Sequence, residues 1–158
     1  MGLGFIGVNF LALASRLTRA TGVLVILLGA VHLVATPFYV GWSQEGLKPD
    51  TAPLVLAALQ LNHALAGVLL LPMGLSSFLA AGALKERWGL TLACANAVVL
   101  LLLPVLLVTT MPLGVLNAPL FRLAIGVLAT ACVAQGAALA AAVKAARAEH
   151  AAAPPPLG

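Results

Sequence analysis

Residues 25–37 read VILLGAVHLVATP. The run is apolar except for His32 and Thr36, and Pro37 closes it. Followed outward, the apolar stretch extends from about Ala20 to Gly41, which makes roughly 33 Å of helix against a hydrocarbon core of about 30 Å. Read as a membrane span, this stretch decides the fold. Three further stretches have spanning length, over about 53–83, 89–110 and 120–143. The second is longer than a bilayer needs, so its first turn sits in the interface, or the helix tilts or kinks at Pro72. Pro104 is a candidate kink in the third.

Composition supports lipid as the solvent. Hydrophobic residues make up 63% and charged residues 8%, where soluble domains carry about 25% charged. The mean hydropathy of +1.14 agrees. A chain with so little polar surface cannot cover a core in water. The net charge of +4 is no nucleic-acid signal, because the basic residues stand in small groups at the ends of apolar runs. Cys94 and Cys132 both lie inside apolar runs, with no CxxC and no Cys/His pairing at metal-ligand spacing. They read as small hydrophobes rather than a disulfide or zinc site.

The connections are short: GWSQEGLKPDTAP (41–53), LKERWG (84–89) and MPLGVLNAP (111–119). Short links make consecutive helices antiparallel neighbours. The expected fold is therefore all-α, an integral membrane four-helix up-down bundle forming one domain over 1–158. GFIGVNFLALASRLTR (4–19) is too short to span. It predicts an interfacial helix over 3–17, with Phe5, Phe10 and Leu13 in lipid and Arg16 and Arg19 in the headgroups. It has no basic segment ahead of its apolar part, which argues against a cleaved signal peptide, and Ile6 breaks the myristoylation pattern. EHAAAPPPLG (149–158) reads as a flexible low-complexity tail.

Of the eight Lys and Arg residues, Arg16, Arg19, Lys85, Arg87, Lys144 and Arg147 fall on one side of such a bundle, and Lys48 and Arg122 on the other. The positive-inside rule then places both termini in the cytoplasm of a bacterial cell, with the chain in the inner membrane. Trp42 and Trp88 mark span ends on opposite sides.

No Asp, Glu or Lys lies mid-span, and Arg122 sits close to an end, which argues against a proton-pump or ion-transporter core. Glu45, Asp50, Glu86 and Glu149 lie outside the spans, leaving little for acid/base work. There is no GxSxG, no HExxH, no P-loop and no carboxylate pair, so no catalytic residue is assigned.

The remaining polar residues sort by depth. His32 lies roughly 13 Å from the outer end of the first span and His63 roughly 15 Å from that of the second, so antiparallel helices bring them level. Gly29 and Gly67 each sit one turn from their histidine, toward the cytoplasm. Small residues there let two backbones approach, or leave space for something flat. Gln60, Asn62, Thr36 and Tyr39 complete the local set. Three readings compete. The histidines are hydrogen-bonded helix glue; or they are axial ligands of a b-type haem; or, with Gln60 and Asn62, they line a pocket for a quinone or another apolar ligand. The first is favoured, since no basic residue nearby could pair with haem propionates. Two histidines without a carboxylate are too few for a closed metal site. A second layer, nearer the cytoplasm, holds Ser76, Ser77, Asn96 and Gln135, which read as pairs across helices. On the fourth span Gly126, Thr130, Ala134, Ala138 and Ala142 form a small-residue stripe. It would let another helix approach, from within the bundle, a second copy or a membrane-protein partner.

GAVHLVATP (29–37) followed by LNHALAGVLLLP (61–72) resembles small four-span bacterial membrane proteins of uncharacterised families, which carry a histidine and a Thr-Pro in the first span. The resemblance covers the first two spans and implies no activity. The function expected is that of a small non-enzymatic accessory or structural subunit.

Overall fold

The computed structural model of the chain describes residues 3–46, 53–110 and 119–152, with side chains over 9–38, 53–109, 119 and 122–151. Four helices account for nearly all of it: α1 (Leu3–Gly46), α2 (Pro53–Ala80), α3 (Arg87–Thr110) and α4 (Pro119–Ala152). Each is long and apolar enough to cross a membrane, and no strand occurs among the described residues. The protein is an all-α bundle of four spanning helices. α1 packs most closely on α2 and on α4, whereas α3 touches α2 and α4 more lightly.

α1 differs from the sequence expectation. Residues 3–17 are not a separate interfacial helix; they continue into the first span, and α1 runs unbroken for 44 residues. The reason is local. Nothing between Leu17 and Thr21 breaks a helix, and Ala14, Thr18 and Thr21 are buried in the bundle. A helix lying in the membrane plane could not bury them there. Leu13 is exposed, as expected, but Phe10 is half-buried beneath the Lys144 ammonium, 5.7 Å from its ring centre. Phe5 lies outside the residues with described side chains. Arg19 lies 5.9 Å from the Phe78 ring centre on α2. It therefore stands about two turns deeper along α1 than the level of Phe10 and Lys144, where its long stem can snorkel outward.

The other boundaries shift modestly. α2 ends at Ala80, and a tight turn carries the chain to α3, with Gly82 N–H on Leu79 O (3.0 Å) and Glu86 N–H on Ala83 O (2.9 Å). Trp88 Nε1 donates to the Glu86 carboxylate across this turn. α4 continues through Lys144 and Arg147 to Ala152, so the expected tail from residue 149 starts as helix. Residues 153–158, and the links at 47–52 and 111–118, lie outside the described residues.

The interior divides into a cluster of mainly small side chains and one of larger ones. One cluster joins Ala14, Ala80, Leu84, Ala93, Ala141 and Ala142; the other joins Val25, Leu70, Leu100, Leu128 and Ala131. Many large apolar residues point outward: Leu27, Val31, Val34, Phe38, Leu69, Leu101 and Val133 are all exposed. In water such a surface would aggregate; in lipid it is the solvated face. The first cluster also shows that Arg16, Arg19, Lys85, Arg87, Lys144 and Arg147 share one end of the bundle.

Lipid tails are as apolar as leucine, so close packing must hold the helices together. The α1–α2 seam does this with glycine at seven-residue spacing. Gly22 faces Gly74 and Gly29 faces Gly67, each so close that a Cβ would meet backbone: one on Gly22 would come 2.7 Å from Gly74 O, and one on Gly67 2.9 Å from Gly29 O. The same spacing continues to Ser15, whose hydroxyl donates to Ala81 O at 2.7 Å. A seven-residue repeat keeps one seam facing its partner in a left-handed crossing. Gly22→Leu or Gly74→Leu should destabilise the bundle by about 1–3 kcal/mol, the usual cost of overpacking, seen as an earlier unfolding midpoint in detergent. Gly126→Ala, where nothing lies within 4 Å, should be neutral or stabilise by up to about 1 kcal/mol. Equal responses at the two sites would contradict a backbone-tight seam.

Candidate functional site: the paired histidines and the buried polar layer

α1 and α2 bring His32 and His63 together, as their matched depths require. The rings stack, with centroids 4.9 Å apart and planes 27° from parallel. Both are half-buried, and Thr36 beside them is buried. One turn away, Gly29 and Gly67 touch backbone to backbone. The glycines thus serve close approach: the space beneath the rings is filled by main chain, and the ring separation leaves no slot between them.

The hydrogen bonds fix the protons. His32 Nδ1 lies 2.9 Å from Leu28 O, a carbonyl that can only accept, so Nδ1 carries the hydrogen. The Thr36 hydroxyl lies 2.7 Å from His32 O, to which it donates its one proton, and 3.0 Å from His63 Nδ1. With that proton committed, His63 Nδ1 must donate to Thr36 Oγ1. In the neutral pair both rings are therefore Nδ1–H tautomers. Gln60 and Asn62 are exposed on α2 and stand outside the pair; the Tyr39 side chain is not among those described.

The second layer also forms. Asn96 Nδ2 on α3 donates to Ser76 Oγ and Ser77 Oγ of α2, both at 2.9 Å, and Ser76 donates on to Met73 O at 2.8 Å. Gln135 on α4, wholly buried, donates from Nε2 to Ala93 O of α3 at 3.0 Å. Asn96 and Gln135 thus each pair across helices, but not with one another. The Cys132 thiol donates to Leu100 O at 2.9 Å. Sequence reasoning missed Thr18 and Thr21, which belong to this layer and are fully buried. Their spacing of three beside Ser15 is the available signal; a first span begun at Ala20 separates Thr18 from Thr21 and hides it.

The small-residue stripe on α4 divides. Ala138 and Ala142 are buried in the bundle, Ala134 is half-buried, and Gly126 and Thr130 are exposed. Positions four apart advance about 40° around a helix, so over four steps such a row winds from one face to nearly the opposite one. The residues that share the outward face are Gly126, Thr130, Val133, Ala137 and Ala140, all exposed.

Compared with protein families, with curated proteins and with solved structures, the chain matches none.

Thr36→Val should cost about 0.6 kcal/mol, and no more than about 1.7, the range of membrane interhelical hydrogen bonds. It should release His63 Nδ1 while leaving His32 as the Nδ1–H tautomer, as read from imidazole ¹⁵N shifts. Finding His32 protonated at Nε2 alone would refute the tautomer assignment.

Proposed function

We propose that this small integral membrane protein is a non-enzymatic accessory or structural subunit that packs, through the outward face of α4, against a second copy or a larger membrane complex. The observation that carries the reading is this face itself. Gly126 and Gly136 have nothing within 4 Å, and Thr130, Val133, Ala137 and Ala140 line an exposed strip that carries no leucine between Gly126 and Ala140, with Leu123 at its N-terminal end. On a helix that only meets lipid, large apolar side chains are the common choice, as on the lipid face of α1. A strip of small residues at alternating four and three spacing suits another helix. The six cations at one end favour the bacterial inner membrane with that end cytoplasmic, which would put both termini inside.

In this reading His32 and His63 are glue between α1 and α2. Their rings contact each other, and Leu28 O and Thr36 occupy both Nδ1 positions. A b-type haem or a quinone at His32, His63, Gly29 and Gly67 would have to part a seam closed by main-chain contact.

Single cysteines placed at Gly126, Val133 or Ala140 should cross-link to a neighbouring chain in native membranes, whereas Ala138→Cys should not. Uniform absence of cross-links, with the protein recovered as a lone monomer from mild detergent, would overturn the subunit reading. An absorption spectrum of natively purified protein separates the alternative. A Soret band that disappears in His32→Ala and His63→Ala would replace the glue assignment with haem ligation.

A further inference from the structure

Between the two apolar clusters lies a level to which all four helices contribute polar side chains: Thr18 and Thr21 from α1, Ser77 from α2, Asn96 from α3 and Gln135 from α4, all buried. The register across α1 and α4 is set on either side, by Ala14 clustering with Ala141 and Ala142 and by Val25 clustering with Ala131. It brings Thr21 level with Gln135. Ser77 and Asn96 satisfy each other, and Gln135 Nε2 is held by Ala93 O. Three atoms remain: Thr18 Oγ1, Thr21 Oγ1 and Gln135 Oε1 are buried without a hydrogen-bond partner.

These threonines behave unlike the other described threonines in spanning helices. Thr36, Thr91, Thr109 and Thr130 each donate to the carbonyl four residues earlier. Thr18 and Thr21 do not, and both are wholly buried. The amide of Gln135 cannot turn round to help, because its oxygen would then face the Ala93 carbonyl. Buried polar atoms left this way are rare, and ordered water is the usual partner when the groups stand too far apart for a direct bond.

We propose that this layer binds internal water. At least one molecule donates to Gln135 Oε1 and accepts from the Thr21 hydroxyl, and Thr18 supplies a further donor and acceptor. The donor balance favours water over a bare cation. Hydroxyls can both give and take, which a cation cannot use, and no carboxylate lies in the layer to offset a buried positive charge.

The test is proton-detected NMR of the full chain in lipid nanodiscs, reading magnetisation transfer from water. Transfer should be seen at the Gln135 side-chain amide and at Thr18 and Thr21, and should be missing at Val25 and Ala131 in the neighbouring apolar cluster. Thr21→Val should weaken transfer to the Gln135 side-chain amide, and the Thr18→Val, Thr21→Val double variant, which keeps that amide as reporter, should weaken it further. The single variant, nearly isosteric, keeps the test valid should the double variant fail to fold. A wild-type layer with no transfer from water would overturn the proposal. So would a melting shift between sodium or potassium and choline at matched ionic strength that disappears in Gln135→Leu, since it would put a cation in the site.

Discussion

The bundle depends on how closely α1 and α2 can approach. At Gly22–Gly74 and Gly29–Gly67 the two main chains touch without side chains between them. In lipid this contact replaces the hydrophobic drive that water would supply, through dispersion and weak Cα–H···O contacts of about 0.5–1 kcal/mol each. It also sets the spacing of everything further along the seam. Ser15 can reach Ala81 O, and Thr36 can reach His63, only because the glycines hold the axes near. The stacked histidines are a consequence of the same distance: two rings fill the width that the seam leaves where glycine gives way to larger side chains.

α3 is fastened differently. It has no glycine seam, and it packs lightly on its neighbours. Its links are polar and cross-helical: Asn96 to Ser76 and Ser77, Ala93 O from Gln135, and Leu100 O from Cys132. In a membrane such bonds average about 0.6 kcal/mol, so three or four of them supply orientation more than tenacity. The bundle therefore has a closely packed part, α1 with α2 and α4, and a helix, α3, oriented by hydrogen bonds. α4 joins them. Ala138 and Ala142 serve the closely packed part, Gln135 and Cys132 reach to α3, and the small outward face is left over.

Much of this was legible in the sequence. Four apolar runs separated by turn residues leave one fold class open, and equal depth on antiparallel helices was enough to pair His32 with His63. What was not legible has specific causes. Arg16 and Arg19 look like the end of a span, because charge usually marks a boundary. Yet a long guanidinium stem at the bundle's rim allows the helix to continue through them, so a span begun at Ala20 leaves Thr18 outside the membrane interior and Thr21 at its edge. Gly22 and Gly74 do not stand out in the sequence because no histidine lies beside them; the seven-residue repeat is what links Gly22 to Gly29 and Gly67 to Gly74. The α4 stripe runs along positions four apart, a row that winds around the helix, so its two ends serve different neighbours. Gln60 and Asn62 lie near His63 in sequence, but proximity along a helix does not fix direction around it.

The two polar layers differ in a way that bears on what each can do. In the histidine layer, each Nδ1 and the Thr36 hydroxyl have definite partners, and the tautomers follow from counting one hydroxyl proton. The Nδ1 bonds orient the rings, and what resists a guest is the main-chain contact of Gly29 with Gly67 one turn away. In the deeper layer the count leaves a remainder: two hydroxyls and one amide oxygen, buried and unmatched. Each unmatched group costs about 1–3 kcal/mol, a large sum for a bundle whose seams rest on contacts of under 1 kcal/mol. A small polar partner supplied from outside the chain would recover most of that cost. The histidines, though more conspicuous in the sequence, are by this reasoning the less open of the two sites.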